Sequence, residues 1–355
     1  MPKDNLRHIL VIRLSAMGDV AMMVPVLLAL RESYPHLAVT VLTRKFFAPI
    51  LDPVPGIQIY HAEVEGRHKG IPGLIKLFRE LKRQPFEAVA DLHDVLRSNL
   101  LKLLFTGGGT RVVQIDKGRA AKKKLTSEHN KNFRQLKSMH KRYAEVFEKL
   151  GYTLDLEGVT LLPRQRLSDK MVNSIGPDNR KWIGIAPFAA YQGKCYPPLL
   201  MAEVLGAISK KENYKIILFG GAGSEKKQLE AWAARFGSCI SVAGLFPLKE
   251  ELALISNLDL MVSMDSANGH MAANFGIPVL TLWGLTHPYA GFSPFRQKPG
   301  NSLTADRSRY PAIPTSVYGN KMPAGYESAM ETIAPAEVVA KMEELLHIGD
   351  TPLRQ

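Results

Sequence analysis

Short apolar runs alternate with helical patterns along this chain, and the alternation occurs twice. Strand-like runs fall at 8–14, 37–43, 57–60, 86–92 and 111–115, with helical spacing at 19–34, 70–84, 95–105 and 131–150. The pattern restarts after Gly151, with strands at 182–187, 215–219, 239–242, 259–263 and 278–283. Helical patterns at 198–212, 224–236, 248–256, 266–275 and 335–347 separate or follow them. Continuous apolar runs such as Ile9–Ile12 suit strands buried on both faces of a parallel sheet. Two successive βαβ series therefore predict an α/β protein of two doubly wound domains. Residues 155–180, with Pro163 and Pro177, read as a linker, and 286–334 as an irregular crossing segment.

A length of 355 residues suits two such domains. Hydrophobic residues make up 46% and charged residues 22%, as in ordinary globular proteins. No apolar run reaches the roughly 18 residues that span a bilayer. The N-terminal residues lead straight into a strand without a secretory pattern. Cys195 and Cys239 form neither a disulfide framework nor a zinc motif, so a reducing cytoplasm is expected. The net charge is +13, and between Arg111 and Arg142 eleven Lys/Arg face two acidic residues. Such a cluster is either a solvated face or a site for a polyanion: phosphorylated substrate, nucleic acid or anionic membrane. Stacking aromatics are sparse there, which argues against a single-strand nucleic-acid groove.

Four strand-to-helix corners carry the chemistry. At Arg13-Leu-Ser15-Ala-Met-Gly18-Asp19 a carboxylate enters the first turn of a helix, where an aspartate is ordinarily a cap. One glycine there falls short of a dinucleotide fingerprint. After the strand at 182–187 comes Phe188-Ala189-Ala190-Tyr-Gln-Gly-Lys194, and after that at 215–219 comes Gly220-Gly221-Ala-Gly-Ser-Glu225. The last lacks the Lys-Ser/Thr pair of a P-loop. At Asp265-Ser266-Ala267-Asn-Gly-His270, short side chains at a helix start let an anion approach free backbone N–H groups. Each alone is weak: a glycine turn is ordinarily only a turn, Lys194 a solvated lysine, His270 a packed histidine. Together they place candidates at the carboxyl ends of successive strands, where open α/β sheets bind ligands.

With these motifs the chain resembles glycosyltransferase family nine, the bacterial lipopolysaccharide heptosyltransferases, over nearly its whole length. The most specific stretches are Arg13–Asp19, Asp91-Leu-His-Asp-Val-Leu-Arg-Ser98, Met139-His-Lys-Arg-Tyr143, Lys194-Cys-Tyr-Pro197 and Asp265–His270 with Gly276-Ile-Pro278. The segment Glu327–Val338 is similar to the family's final motif. The resemblance implies a GT-B fold: Rossmann-like domains at 1–165 (acceptor) and 166–334 (donor) facing a central cleft. It also implies a helix at 335–355 packing back on the first domain. The implied reaction is an inverting, metal-independent transfer of heptose from ADP-heptose to a Kdo–lipid A acceptor, with no resident cofactor. Asp19 matches the general base and Lys194 the lysine near the donor diphosphate. The donor set is Ala189, Ala190, Gly221, Glu225, Asp265, Ser266, Ala267 and His270.

For the acceptor, the same reading implies Arg13, Ser15, Gly18, His93 and Arg97, with Lys117, Arg119, Lys122, Lys123 and Lys124 against its phosphates. No Asp-x-Asp motif occurs, and alanine stands at 16, 189 and 190 where the family often carries hydroxyl residues. A peripheral location on the cytoplasmic face of the inner membrane is expected, with no nucleic-acid partner. Ile71, Leu74, Ile75, Phe78 and Leu81, interleaved with basic residues, form either a membrane-surface helix or an ordinary core stripe. Three other readings stay open: a nucleotide-sugar epimerase on a similar fold, a nucleic-acid-binding protein, and a donor-binding protein without turnover.

Overall fold

The computed structural model describes residues 8–176 and 179–348. The chain forms two compact units. The first comprises the residues up to Arg119 with Lys137–Leu162, and the second Ala120–Leu136 with the chain from Pro163 onward.

The first unit holds β1 (His8–Ile12), α1 (Met17–Ser33), β2 (Ala38–Thr43), α2 (Ala48–Leu51) and β3 (Ile57–His61). It continues through α3 (Gly70–Leu81), β4 (Ala88–Asp91), α4 (Leu96–Gly107) and β5 (Arg111–Gln114). The strands pair in parallel in the order β3-β2-β1-β4-β5. Ile9, Leu10, Val11 and Ile12 are fully buried, as a central strand covered by helices on both faces requires. Helix α1 is buried continuously from Val20 to Leu30. Helix α3 buries Leu74, Leu77 and Leu81 in the core with Phe78 packed against it, while Ile71 at its start is exposed.

The connecting segment is α5 (Arg119–Leu125), a non-helical stretch, then α6 (Met139–Leu150). The helix expected from 131 begins only at Met139, because Ser138 caps it, its Oγ accepting the Lys141 N–H at 3.2 Å. Residues 126–138 are pinned otherwise. Lys131 Nζ donates to the carbonyls of Leu125, Ala312 and Pro314 at 3.0 Å each. The Leu136 N–H reaches Tyr289 O at 2.9 Å, and Phe133 stacks on Tyr289. Residues 120–136 therefore belong with the second unit, whereas the sequence reading placed everything to 165 in the first.

The second unit continues with α7 (Asp169–Ile175), β6 (Lys181–Ala186), α8 (Pro198–Ile208), β7 (Tyr214–Leu218), α9 (Ser224–Arg235) and β8 (Cys239–Ser241). It ends with α10 (Leu248–Ile255), β9 (Leu260–Met264), α11 (Ala267–Ala273), β10 (Val279–Trp283), β11 (Ser302–Thr304) and α12 (Pro335–Ile348). Its six strands, all parallel, run β11-β10-β9-β6-β7-β8. Short β11 lies inside the segment read as irregular. Val338, Met342, Leu345 and Leu346 of α12 are buried in the second unit's core, against α8 and β9. The expected extension over 349–355 lies outside the described residues.

In each sheet the strand order reverses once, between β1 and β4 and between β6 and β9. The crevice at such a reversal, beyond the strands' carboxyl ends, is where doubly wound sheets bind ligands.

Candidate functional site

In the first unit the loops after β1 and β4 meet at the reversal. Asp19 sits in the first turn of α1, and its Oδ2 accepts the Ala16 N–H at 3.2 Å, half of a capping box. The same oxygen lies 2.6 Å from Arg13 Nη2. Arg13 is 4% exposed while Asp19 remains 23% exposed, so the pair has one buried and one accessible member. Arg13 also donates to Leu92 O at 2.5 Å and lies over the Tyr143 ring. Burial works to raise the Asp19 carboxyl. The Arg13 guanidinium, the Ala16 N–H and Lys117 outweigh it and hold the group below the ordinary aspartate value. The result is an accessible carboxylate that is ionised at neutral pH.

Behind it lies Asp91, fully buried at the end of β4. Its Oδ1 accepts the N–H groups of His93 at 2.9 Å and Asp94 at 3.2 Å, and its Oδ2 accepts from Gln114 Nε2 at 2.8 Å. This fixes the turn carrying His93, whose ring is bonded to Leu14 N–H and Ser15 Oγ. Lys117 is half-buried nearby, burial and Arg13 lowering its pKa. Gly18 lies in the first turn of α1, and Arg97 is exposed in the first turn of α4. Arg119 pairs with Asp94 at 2.5 Å. The remaining basic residues fall in the second unit. Lys122 is buried in the second unit, its ammonium 4.3 Å from the Phe292 ring centroid, so it packs there. Lys123 and Lys124 are exposed on the same unit.

In the second unit the loops after β6 and β9 meet at the other reversal. Lys194 Nζ lies 3.0 Å from Asp265 Oδ2, the two side chains 13% and 10% exposed. Next to Asp265, Ser266 begins α11 without a side-chain cap, and its buried Oγ has no partner among the described residues. A buried hydroxyl left so is costly unless a ligand completes it. His270 is buried on α11, while Ala267 and Ala189 are half-buried and Ala190 exposed. Glu225 Oε2 accepts the Gly221 N–H at 2.6 Å, closing the glycine turn onto the first turn of α9.

Gly193, Gly284 and Gly319 hold Lys194 in place. A Cβ on Gly284 would lie 2.3 Å from Gly193 O, where Leu285 N–H donates at 2.7 Å. Gly319 has φ +76°, and a Cβ there would lie 2.4 Å from Lys194 Cγ. The lysine stem thus runs against bare backbone toward Asp265. Asp91 was legible in its motif, a buried carboxylate ending a strand. Gly319 was not, because it is 125 positions from Lys194 in a stretch without periodicity. Among the described residues no group of three or more His, Cys, Asp or Glu is arranged to hold a metal ion. None of their helices is long and apolar enough to cross a membrane.

The model of glycosyltransferase family 9 (heptosyltransferase) matches residues 74–315. A lipopolysaccharide core heptosyltransferase of Haemophilus influenzae, OpsX, is 25% identical over 84% of this chain and 83% of its own. The structure of a family 9 glycosyl transferase from Veillonella parvula superposes with TM-score 0.73 at 21% identity, covering 96% of this chain and 98% of that one. The Escherichia coli heptosyltransferase WaaC, solved with ADP, superposes with TM-score 0.66 at 18% identity, covering 95% and 99%. These likenesses show the two-domain GT-B fold.

Proposed function

The chain belongs to glycosyltransferase family 9, the heptosyltransferases, and on that premise we propose that it moves heptose from ADP-heptose to a Kdo–lipid A inner-core acceptor with inversion. The observation that carries the mechanism is the Asp19 carboxylate, ionised by Arg13 yet accessible at the strand-order reversal of the first unit. An acceptor hydroxyl hydrogen-bonded to Asp19 attacks the anomeric carbon, its proton passing to the carboxylate as the new C–O bond forms. The bond from that carbon to the diphosphate breaks on the opposite face, and its electron pair leaves with ADP. Because Asp19 is a weak base, the transfer falls late, when the attacking oxygen has become acidic.

The second unit supports the donor half of this reading. Lys194 brings a cation to the developing charge on the diphosphate, and the unpartnered Ser266 hydroxyl can donate to it. Glu225 keeps acceptor capacity for ribose hydroxyls beside its Gly221 bond. With these charges supplied by side chains, we propose that the transfer is independent of metal. The relatives' names, a core heptosyltransferase and a heptosyltransferase solved with ADP, support the donor and acceptor assigned here. Arg13, Ser15, Gly18, Arg97, Lys117 and Arg119 are proposed for the acceptor on the first unit. Exposed Lys123 and Lys124 suit its phosphates and the anionic inner face of the membrane that bears it.

The test is to incubate the protein with ADP-heptose, with and without Kdo–lipid A, and to follow ADP release with and without a chelator. Acceptor-dependent release that survives chelation is expected. An epimerised nucleotide sugar formed without acceptor and without ADP release would instead favour the epimerase reading, and no ADP release with any nucleotide sugar would overturn the proposal.

A further inference from the structure

His93 is 5% exposed, and its two ring nitrogens have different partners. The Leu14 N–H points at Nδ1 from 3.4 Å. A backbone N–H can only donate, so Nδ1 must be the bare nitrogen. The ring proton is then on Nε2, 3.2 Å from Ser15 Oγ, where it must be donated. A serine hydroxyl has one proton, and with His93 donating into its oxygen that proton is directed away from the ring. Ser15 is half-buried and immediately precedes the Ala16 N–H bound by Asp19.

We propose that His93 is a positioning residue that makes Ser15 a one-way hydrogen-bond donor beside the Asp19 acceptor. The corner then presents one donor and one acceptor, and selects a sugar whose attacking hydroxyl neighbours a second oxygen able to accept. A vicinal hydroxyl, a ring oxygen or a carboxylate oxygen meets that requirement. An ammonium at the neighbouring position does not, because it would place a donor against a donor. The assignment rests on the reading of Asp19 as the base that takes the hydroxyl proton.

The surroundings keep the ring in the required state. A second proton would set Nδ1–H against the Leu14 N–H. Burial, then Arg13, Lys117 and Arg97, push the imidazole down to about 3 against the opposing pull of Asp19. Asp91 locks the backbone N–H of His93, so the ring has a fixed base from which to reach Ser15.

Two measurements test this. Imidazole 15N NMR of the intact protein should show His93 neutral and protonated on Nε2 from pH 7.5 to 5. In transfer assays, His93→Phe should raise the acceptor KM about tenfold, the worth of one hydrogen bond, with kcat little changed. His93→Gln, which keeps an amide donor near Nε2, should restore most of that loss. Ser15→Ala should match His93→Phe, and the double variant should be no worse than Ser15→Ala alone. A ring protonated on Nδ1, or an unchanged KM in His93→Phe, overturns the proposal. If the unaltered protein transfers nothing, the reading of the reaction fails instead, and the NMR tautomer alone decides this one.

Discussion

Replacing Gly319 by alanine separates the placement of Lys194 from the stability of the fold. The new Cβ would lie 2.4 Å from Lys194 Cγ and 2.5 Å from its Cδ. Carbon atoms rest at about 3.5–4.0 Å, so one partner must retreat by about 1 Å. The loop is the stiffer of the two: Thr315 N–H donates to Leu285 O at 3.0 Å, and Thr315 Oγ1 donates to Lys321 O at 2.6 Å. The lysine stem has four rotatable carbons and yields first, carrying its ammonium off the 3.0 Å contact with Asp265. A displacement of about 1 Å at a reacting group costs about 10²-fold in rate, or about 2.7 kcal/mol of barrier. The stability cost is smaller, about 1–2 kcal/mol for alanine at φ +76°. For a domain of this size that lowers the melting temperature by roughly 2–8 °C. Gly325→Ala is the control, because Gly325 has φ +81° but no atom within 4 Å of its Cβ position. Both variants should melt at similarly reduced temperatures, measured by calorimetry. Only Gly319→Ala should lose kcat in ADP release under saturating substrates. A Gly319→Ala enzyme with the kcat of Gly325→Ala would refute the claim that this backbone positions the lysine.

Two further outcomes are expected. Asp19→Asn can still accept the Ala16 N–H but cannot take a proton, so kcat should fall by about 10²–10⁴-fold while ADP binding, measured by calorimetric titration, is kept; near-normal kcat would remove Asp19 as base. Folding holds the His93 and His287 rings at about 3 and about 4, below the ordinary 6.5, so unfolding takes up protons in acid. Burial is the first cause in both, followed by Arg13 at His93 and Arg307 at His287. Stability should therefore be full above pH ~6.5 and fall as pH drops toward the folded values, by up to about 1.4 kcal/mol per unit per ring. Urea unfolding at pH 7 and pH 5 measures the slope, His93→Gln should reduce it, and a pH-independent midpoint would contradict the buried neutral rings.

Much of the candidate site was legible because doubly wound sheets bind ligands at the ends of strands, and strands announce themselves by apolar runs. Asp19, His93, Lys194, Glu225 and Asp265 all follow such runs within a few residues. Their individual settings were less legible. Asp19 read first as a cap, and the structure makes it a cap and an Arg13-paired carboxylate at once. Lys122, one of three consecutive lysines, could not be told from Lys123 and Lys124 by sequence. Burial beside Phe292 distinguishes it, and that contact spans 170 positions.

The alternation of apolar runs and helical spacing by itself determined two doubly wound domains, because strand and helix periodicities are local properties of the chain. It also determined which corners bear carboxylates, lysines and glycines. Only the tertiary structure decided which of those corners meet, since the reversals between β1 and β4 and between β6 and β9 depend on strand order. Tertiary packing likewise carried 120–136 to the second unit, anchored through Lys131 and Phe133, and turned α12 into that unit's core. It also threaded Lys194 past Gly319 to Asp265. These are contacts between residues far apart in sequence, set by which apolar faces and unpaired donors could be satisfied together, and no local pattern encodes that choice.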